Sequence, residues 1–359
     1  MRKAEGMRFS LFLHMERYDA AKPHRELLAE LVELVQLAES GGFCAAWIGE
    51  HYGMEYTIGP NPLAYLAYLA PQTHTIRLGT GNIVAPFWHP VKLASEAALI
   101  DLMSHGRLDF GIARGAYQFE FDRICDGMPS PEGGKHLREM LPVLKALWTG
   151  DYAHDGELWR FPATTSVPHP TQAPHPPIWV AARDPATHDW AVGLGCNVQV
   201  TPLAKDDAEV DALVAKFDAA CANHPEVARP DLMLLRHAYV VGSAGEKRAA
   251  AEAIRRFYAY FEGWFKNAPG SIANGFCGPL PEDEMAQKPD YAIDRVLNNQ
   301  VIGTPDEVIA RLRRYADQGV DEFSIWLDNS TGFGAKKAMI ELFIREVMPA
   351  FAPAAATRT

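Results

Sequence analysis

The sequence predicts an eight-stranded (β/α)8 barrel spanning residues 1–359 as a single domain. Three observations predict it. Short apolar segments alternate with amphipathic helical segments along the chain; the short segments number eight; and a parallel barrel of 359 residues fits one domain, although length alone would suggest two. A doubly wound sheet gives the same alternation, so the count of eight decides.

The elements follow in order. Phe9 to Leu13 is strand one. Leu27, Leu28, Leu31, Leu34, Val35 and Ala38 recur at helical spacing, and Gly41-Gly42 ends that helix. Ala45 to Gly49 is strand two, and Ile76 to Thr80 is strand three, leading into Asn82-Ile83-Val84. Pro90 opens a helix carrying Leu93, Ala94, Ala97 and Ile100. Arg107 to Ile112 is strand four, followed by a helix from about Leu137 to Trp148. Ile178 to Ala182 and Cys196 to Val200 are strands five and six, with a short helix between them. Val210, Leu213, Val214 and Phe217 mark the helix before strand seven, Leu232 to Val241. Thr304 as N-cap, Pro305 at the first helical position and Glu307 three residues after the cap form a capping box. Val308, Ile309, Leu312, Tyr315 and Ala316 continue that helix, Gly319 ends it, and Glu322 to Leu327 is strand eight.

Two stretches break the rhythm. Asp151 to Pro177 holds six prolines, and Asn267 to Asn299 is polar and rich in glycine and proline. They are expected to be long insertions after strands four and seven. At least one reads as a lid over the C-terminal mouth; a surface excursion or subunit contact is the alternative. Pro353 to Thr359 reads as a frayed tail.

Composition narrows the function. The net charge is −11, from 34 basic and 45 acidic residues, with no basic stripe, which argues against a nucleic-acid partner. No apolar run approaches a membrane span, and Phe9 to Leu13 is too short for a signal-peptide core. Five cysteines (Cys44, Cys125, Cys196, Cys221, Cys277) show no paired spacing, as expected of a reduced, cytoplasmic protein.

The candidate chemistry lies at strand ends. Gly79-Thr80-Gly81 begins a dinucleotide fingerprint, but Val84 occupies the third glycine position; Gly134-Lys135 fails as a phosphate loop because Pro129 and His136 replace its key residues. His51, with Glu50 before it, follows strand two, where an imidazole serves as base, donor or ligand; a satisfied core histidine is the competing reading. His14 follows strand one alone, without the paired histidine of metal hydrolase barrels, so no metal is expected. Arg114, before Gly115 at the end of strand four, suits a phosphate. Arg183, Asp184 and Thr187 leave strand five and open a helix, where free N–H groups would cradle an anion. A structural salt bridge for Arg114 and an ordinary helix start for Thr187 are the alternatives. Asp101 and Arg107 are expected to form a buried ion pair. Trp264 with Tyr258, Tyr260 and Phe261 either lines an apolar pocket or packs in the core.

Ordered blocks along the chain carry a resemblance. They are Met7-Arg8-Phe9, Cys44 to His51, Ile76 to Gly81, His89 to Ala94, Gly106 to Gly115, Ala181 to Trp190 and Gly303 to Glu307. Together they resemble the luciferase-like flavin monooxygenase superfamily. The resemblance implies a luciferase-like barrel using reduced FMN, delivered by a separate NAD(P)H:flavin reductase. O2 is the co-substrate, and a C4a-peroxyflavin oxygenates a small or medium apolar molecule. His51 falls on the catalytic histidine, and Arg114 on the phosphate-binding arginine. Arg183, Asp184 and Thr187 fall on a second phosphate loop. The Gly81-Asn82 bond falls where many members carry a cis peptide against the flavin. Ala113, in place of a reactive cysteine, and Tyr52, in place of a second histidine, argue against light emission. A homodimer or tetramer pairing through helices near strands two and three is also implied. Three competing readings remain: a deazaflavin-dependent hydride-transfer enzyme on the same barrel, a non-catalytic flavin-binding relative, and a metal-dependent hydrolase.

Overall fold

The computed structural model describes residues 6–268 and 270–352; the expected frayed tail, Pro353 to Thr359, lies outside them. Eight parallel strands close on themselves: β1 (Arg8–Phe12), β2 (Ala45–Ile48), β3 (Arg77–Thr80), β4 (Leu108–Ala113), β5 (Ile178–Ala181), β6 (Asn197–Val200), β7 (Leu232–Arg236) and β8 (Glu322–Trp326). Each pairs with its sequence neighbours, and β8 returns to β1, where Leu11 sits opposite Ile325. A two-residue strand, Ile83–Val84, extends the sheet beside the end of β4.

The helices are α1 (His24–Ser40), α2 (Pro62–Leu69), α3 (Pro90–Met103), α4 (Gln118–Ile124), α5 (Gly133–Thr149), α6 (Pro185–Gly193), α7 (Asp207–Asn223), α8 (Lys247–Phe265), α9 (Glu282–Ala286), α10 (Ile293–Asn299), α11 (Pro305–Asp317) and α12 (Phe333–Leu342). The strands are apolar because side chains on both faces are buried: Leu11, Ala46, Leu78, Phe110, Val180, Val198 and Leu234 face no solvent. The capping box forms as the sequence predicts, with the Thr304 N–H donating to Glu307 Oε2 (2.8 Å). Among the described residues, no helix is long and apolar enough to cross a membrane.

Large side chains fill the barrel interior. Trp47 is fully buried, and a Cβ at Gly79 would collide with its indole, so glycine is required on the neighbouring strand. Trp47 Nε1–H donates to Glu322 Oε1 (2.9 Å), and burial raises the Glu322 pKa above the usual carboxylate range. Ion pairs tie the strand starts together: Arg8 to Asp231 (2.7 Å) and Arg77 to Asp109 (2.7 Å). This is the stability end of the barrel; the chemistry belongs at the other.

The two irregular stretches differ from expectation. Asp151 to Pro177 follows α5 rather than strand four itself, so it lies at the strand-start end. Its hairpin, Tyr152–Asp155 with Arg160–Thr164, packs on α5, where Glu139 accepts from the Trp159 N–H (3.1 Å). Gln172 donates to Asp101 Oδ1 (2.7 Å) and accepts from Arg77 Nη2 (3.0 Å), both near strand starts. It is therefore no lid. Gln172 also takes the carboxylate expected to pair with Arg107. That guanidinium instead donates to the Ser104, Ile76, Ala70 and Thr73 carbonyls and to Thr73 Oγ1.

The second excursion is longer than Asn267 to Asn299. Strand seven stops at Arg236 because the next residue, His237, turns its ring to stack on Trp326 (4.6 Å, 7°). Ala238–Val240 then pairs with Val301–Gly303 outside the barrel, and α8 to α10 lie between them. α8 crosses the mouth, and Leu280, Met285, Tyr291 and Val296 pack together with its Phe257 and Tyr258.

Candidate active site

At the C-terminal ends of the strands lies a cavity of about 520 Å³, within the usual size of a small-ligand site. His51, Gly81, Asn82, Arg114, Arg183, Asp184 and Thr187 all line it. Among the described residues, none of Asp151 to Pro177 or Asn267 to Asn299 does.

His51 sits just past β2. Its backbone N–H donates to the Gly59 carbonyl (2.8 Å), which fixes the loop. Its Nδ1 lies 3.3 Å from Glu120 Oε1, an oxygen that also accepts the Tyr52 N–H (2.9 Å). An oxygen that already accepts requires Nδ1 to carry the proton, which leaves the Nε2 lone pair free. Tyr117 (5.3 Å) and Trp264 (5.2 Å) meet the ring edge-on. Glu120 is 1% exposed, and its other oxygen has no partner among the described residues.

Glu50 accepts from the Val84 N–H (2.7 Å), Trp88 Nε1–H (2.8 Å) and the Tyr52 hydroxyl (2.7 Å). Burial nevertheless wins over these donors and pushes its pKa up to about 7. His14, fully packed beside this site, accepts the Gly49 N–H at Nε2 (3.0 Å), so its proton lies on Nδ1, 2.6 Å from Asp328 Oδ2. Burial lowers the His14 pKa and keeps the ring neutral. Burial opposes the charge on Asp328 as well. The His14 contacts and nearby Lys336 outweigh it, and the Asp328 pKa falls below the ordinary range. Among the described residues, no group of three or more His, Cys, Asp or Glu is placed to hold a metal.

One rim of the cavity is cationic. Arg114 Nη1 donates only to the Ser130 carbonyl (3.3 Å), and it has no ion pair among the described residues. A Cβ at Gly133 would strike the Arg114 carbonyl, so glycine lets the start of α5 close against this loop. Arg138, one turn into α5, lines the same rim, with its guanidinium 5.1 Å from the Trp190 ring centre. Arg183 points instead to Glu209 (3.1 Å). The Thr187 N–H, expected free, donates to Asp184 Oδ1 (2.9 Å), and the Thr187 hydroxyl donates to Oδ2 (2.7 Å). Asp184 therefore caps α6 itself, and these bonds, against burial, hold its pKa below the usual range. Among the described residues, the rim cations without an ion pair are Arg114 and Arg138.

The floor is small and flat. The Gly81–Asn82 peptide is cis, and a Cβ at Gly81 would press on Phe12 (2.9 Å). Ala113, Ala181 and Ala182 adjoin it, and the buried Asn82 Oδ1 has no partner among the described residues.

The roof is aromatic. Phe257, Tyr260, Phe261 and Trp264 on α8 line the cavity, and Tyr117 stacks on Trp264 (4.1 Å, 22°). Of the group Tyr258, Tyr260, Phe261 and Trp264, only Tyr258 is left in the core, stacked on Tyr291. Sequence reading missed Tyr117, Glu120, Arg138 and Gln199. Only the first two carried a signal, the alternation Tyr117-Gln118-Phe119-Glu120-Phe121 just after strand four.

The profile of the luciferase-like monooxygenase family matches residues 7–322. The chain is 52% identical over 345 residues to the flavin-dependent trigonelline monooxygenase, oxygenase component, of Acinetobacter baylyi, covering 96% of each chain. It superposes on the monooxygenase RslO1 from Streptomyces bottropensis with a TM-score of 0.78 at 26% identity, over 96% of this chain and 100% of that one. It also superposes on the coenzyme F420-dependent tetrahydromethanopterin reductase from Methanopyrus kandleri, with a TM-score of 0.74 at 20% identity over 97% and 99% of the chains, a likeness of fold alone.

Proposed function

The chain belongs to the luciferase-like monooxygenase family, and from that premise we propose that it is the oxygenase component of a two-component, FMN-dependent monooxygenase. Reduced FMN would come from a separate NAD(P)H:flavin reductase, with O2 as co-substrate. The Acinetobacter baylyi relative, the oxygenase component of a flavin-dependent monooxygenase, supports both the flavin and the separate component.

The site fits the cofactor on its own features. A flat floor of Gly81, Asn82, Ala113 and Ala181 suits a planar ring, and the orphaned Asn82 Oδ1 awaits a donor. Arg114 and Arg138 would take a phosphate at the rim, assisted by backbone groups of Arg183 and Asp184; Thr187, which donates both its N–H and its hydroxyl to Asp184, would join them only on releasing that carboxylate. Bound reduced flavin supplies the electrons that activate O2 and pass one oxygen atom to an organic molecule. His51 would handle the proton. Glu120 holds Nδ1–H, and Nε2 is free to accept or return a proton. The roof keeps bulk water away from the reacting atoms.

The observation that carries this reading is the convergence of His51, the Gly81–Asn82 floor and two unpaired arginines on one aromatic-roofed cavity. The aromatic roof and the relative's name support a small, flat heteroaromatic substrate over an alkyl chain. Exposed Tyr68, Leu99, Leu102 and Met103 on α2 and α3 support pairing of subunits through those helices, which sedimentation would test. The cofactor is tested by anaerobic titration with reduced FMN and with reduced deazaflavin. Saturable binding of FMN alone is expected. Binding of the deazaflavin alone would replace this reading with hydride transfer.

A further inference from the structure

The cavity is electrically divided. Its lining arginines, Arg114, Arg138 and Arg183, stand beyond β4 and β5 and on α5. If flavin lies over β2 to β5, as proposed, the remaining half lies over β6 to β8 and β1, beneath α8. That half holds the ionised Asp328 and the aromatic faces of Phe12, Phe257 and Trp326. Among the described residues, no lysine or arginine lines it.

One side-chain amide in that half faces the cavity without a protein partner among the described residues. Gln199, near the end of β6, is 7% exposed and lines the cavity. Its backbone carbonyl accepts the Ala182 N–H (3.0 Å), but its side-chain amide makes no hydrogen bond among the described residues. His14 and Asp328 are tied to each other, and the buried Trp326 Nε1–H is a second group of this half without a partner among the described residues. A buried amide left unpaired costs stability unless a ligand or water satisfies it. β6 lies across the barrel from β2, opposite His51, and beside β5, where Gln199 is the register partner of Ala181.

We propose that Gln199 is the specificity residue that reads a carboxylate on the substrate ring, and that the substrate class is a flat pyridinium carboxylate. The ring cation would sit among the aromatic faces and Asp328, where a cation is favoured. The carboxylate would accept the Gln199 amide N–H without competing with the flavin phosphate for an arginine. This assignment rests on the flavin occupying the β2–β5 half.

The test uses the full chain with reduced FMN under anaerobic conditions. The probes are N-methylnicotinate, which has the carboxylate, and N-methylpyridinium, which lacks it. Calorimetry measures each probe, and flavin fluorescence measures FMN. Gln199→Met is expected to weaken N-methylnicotinate on the order of tenfold while leaving FMN and N-methylpyridinium binding unchanged. Gln199→Glu is expected to abolish N-methylnicotinate binding and spare N-methylpyridinium. Equal loss of both probes, loss of FMN, or no change in either variant would overturn the assignment. A wild-type protein that binds FMN but not N-methylnicotinate would overturn the substrate class alone. One that binds no FMN would overturn the flavin reading beneath it.

Discussion

The two ends of the cavity are built from different stretches of chain and by different physics. The rim comes from loops directly after β4 and β5 and from the first turns of α5, and its tools are charge and exposed guanidinium groups. The roof comes from α8, inside an excursion between β7 and its barrel helix α11, and its tools are stacked, buried rings. A short loop on a rigid strand places a charge against a fixed cofactor group. A helix carried on its own excursion can change its lining without disturbing the barrel. On the proposed function, the rim holds what is constant in the reaction, and the roof holds what is particular to the substrate.

His51 joins the two ends, and its removal should have the largest effect. His51→Ala is expected to lower product formed per O2 consumed by about 10²- to 10⁴-fold, with FMN affinity retained. Equal loss of FMN binding would make it a structural residue. Trp264→Ala tests the roof: Trp264 is 3% exposed and touches both Tyr117 and His51. Truncation should cost about 3 kcal/mol or more in urea unfolding and divert O2 to H2O2, while FMN binding persists. Arg114→Ala tests the rim with the opposite signature. FMN should bind roughly 10- to 100-fold more weakly, with the fold and the peroxide yield per bound flavin unchanged.

Glu50 sharpens the comparison through pH. Its folded-state pKa is raised to about 7 by burial, so the folded protein holds this proton more tightly than the unfolded chain. Its contribution to stability is full below the ordinary carboxylate range and is lost as pH rises toward 7. Between pH 5 and 8 the loss should be on the order of 2 kcal/mol. Glu50→Gln should flatten that slope, whatever its stability at a single pH; an unchanged slope would assign the pH dependence to other groups. The smallest effect is expected at the far end of the barrel. Gln172→Ala breaks contacts to Asp101 and Arg77 and should cost about 1 kcal/mol with kinetics unaltered. A changed KM would mean that this stretch reaches the site after all.

Much of this architecture was legible in the sequence, for local reasons. All eight strands and the capping box at Thr304 are set by apolar runs and caps within a few residues of one another. The strand-end residues His51 and Arg114 could be found because a barrel sends such positions to one mouth, whereas Asn82 was indicated by the family resemblance alone. What escaped depends on distant partners. Nothing local ends strand seven at Arg236; the stack of His237 on Trp326 does. Asp101 and Arg107 look like a pair until Gln172, far along the chain, takes the carboxylate. The end of the barrel reached by Asp151 to Pro177 depends on its following a helix, which its proline content does not reveal. Trp264 has the same helical spacing in a pocket as in a core, and Gln199 becomes a candidate only when its side chain is found lining the cavity without a partner among the described residues.

The most direct test of the central claim is an isotope experiment. Protein loaded anaerobically with reduced FMN is mixed with ¹⁸O2 and N-methylnicotinate, and the products are analysed by mass spectrometry. The account predicts one ¹⁸O atom in the organic product for each flavin oxidised. Flavin oxidation that yields only labelled H2O2, or turnover that proceeds unchanged without O2, would contradict it.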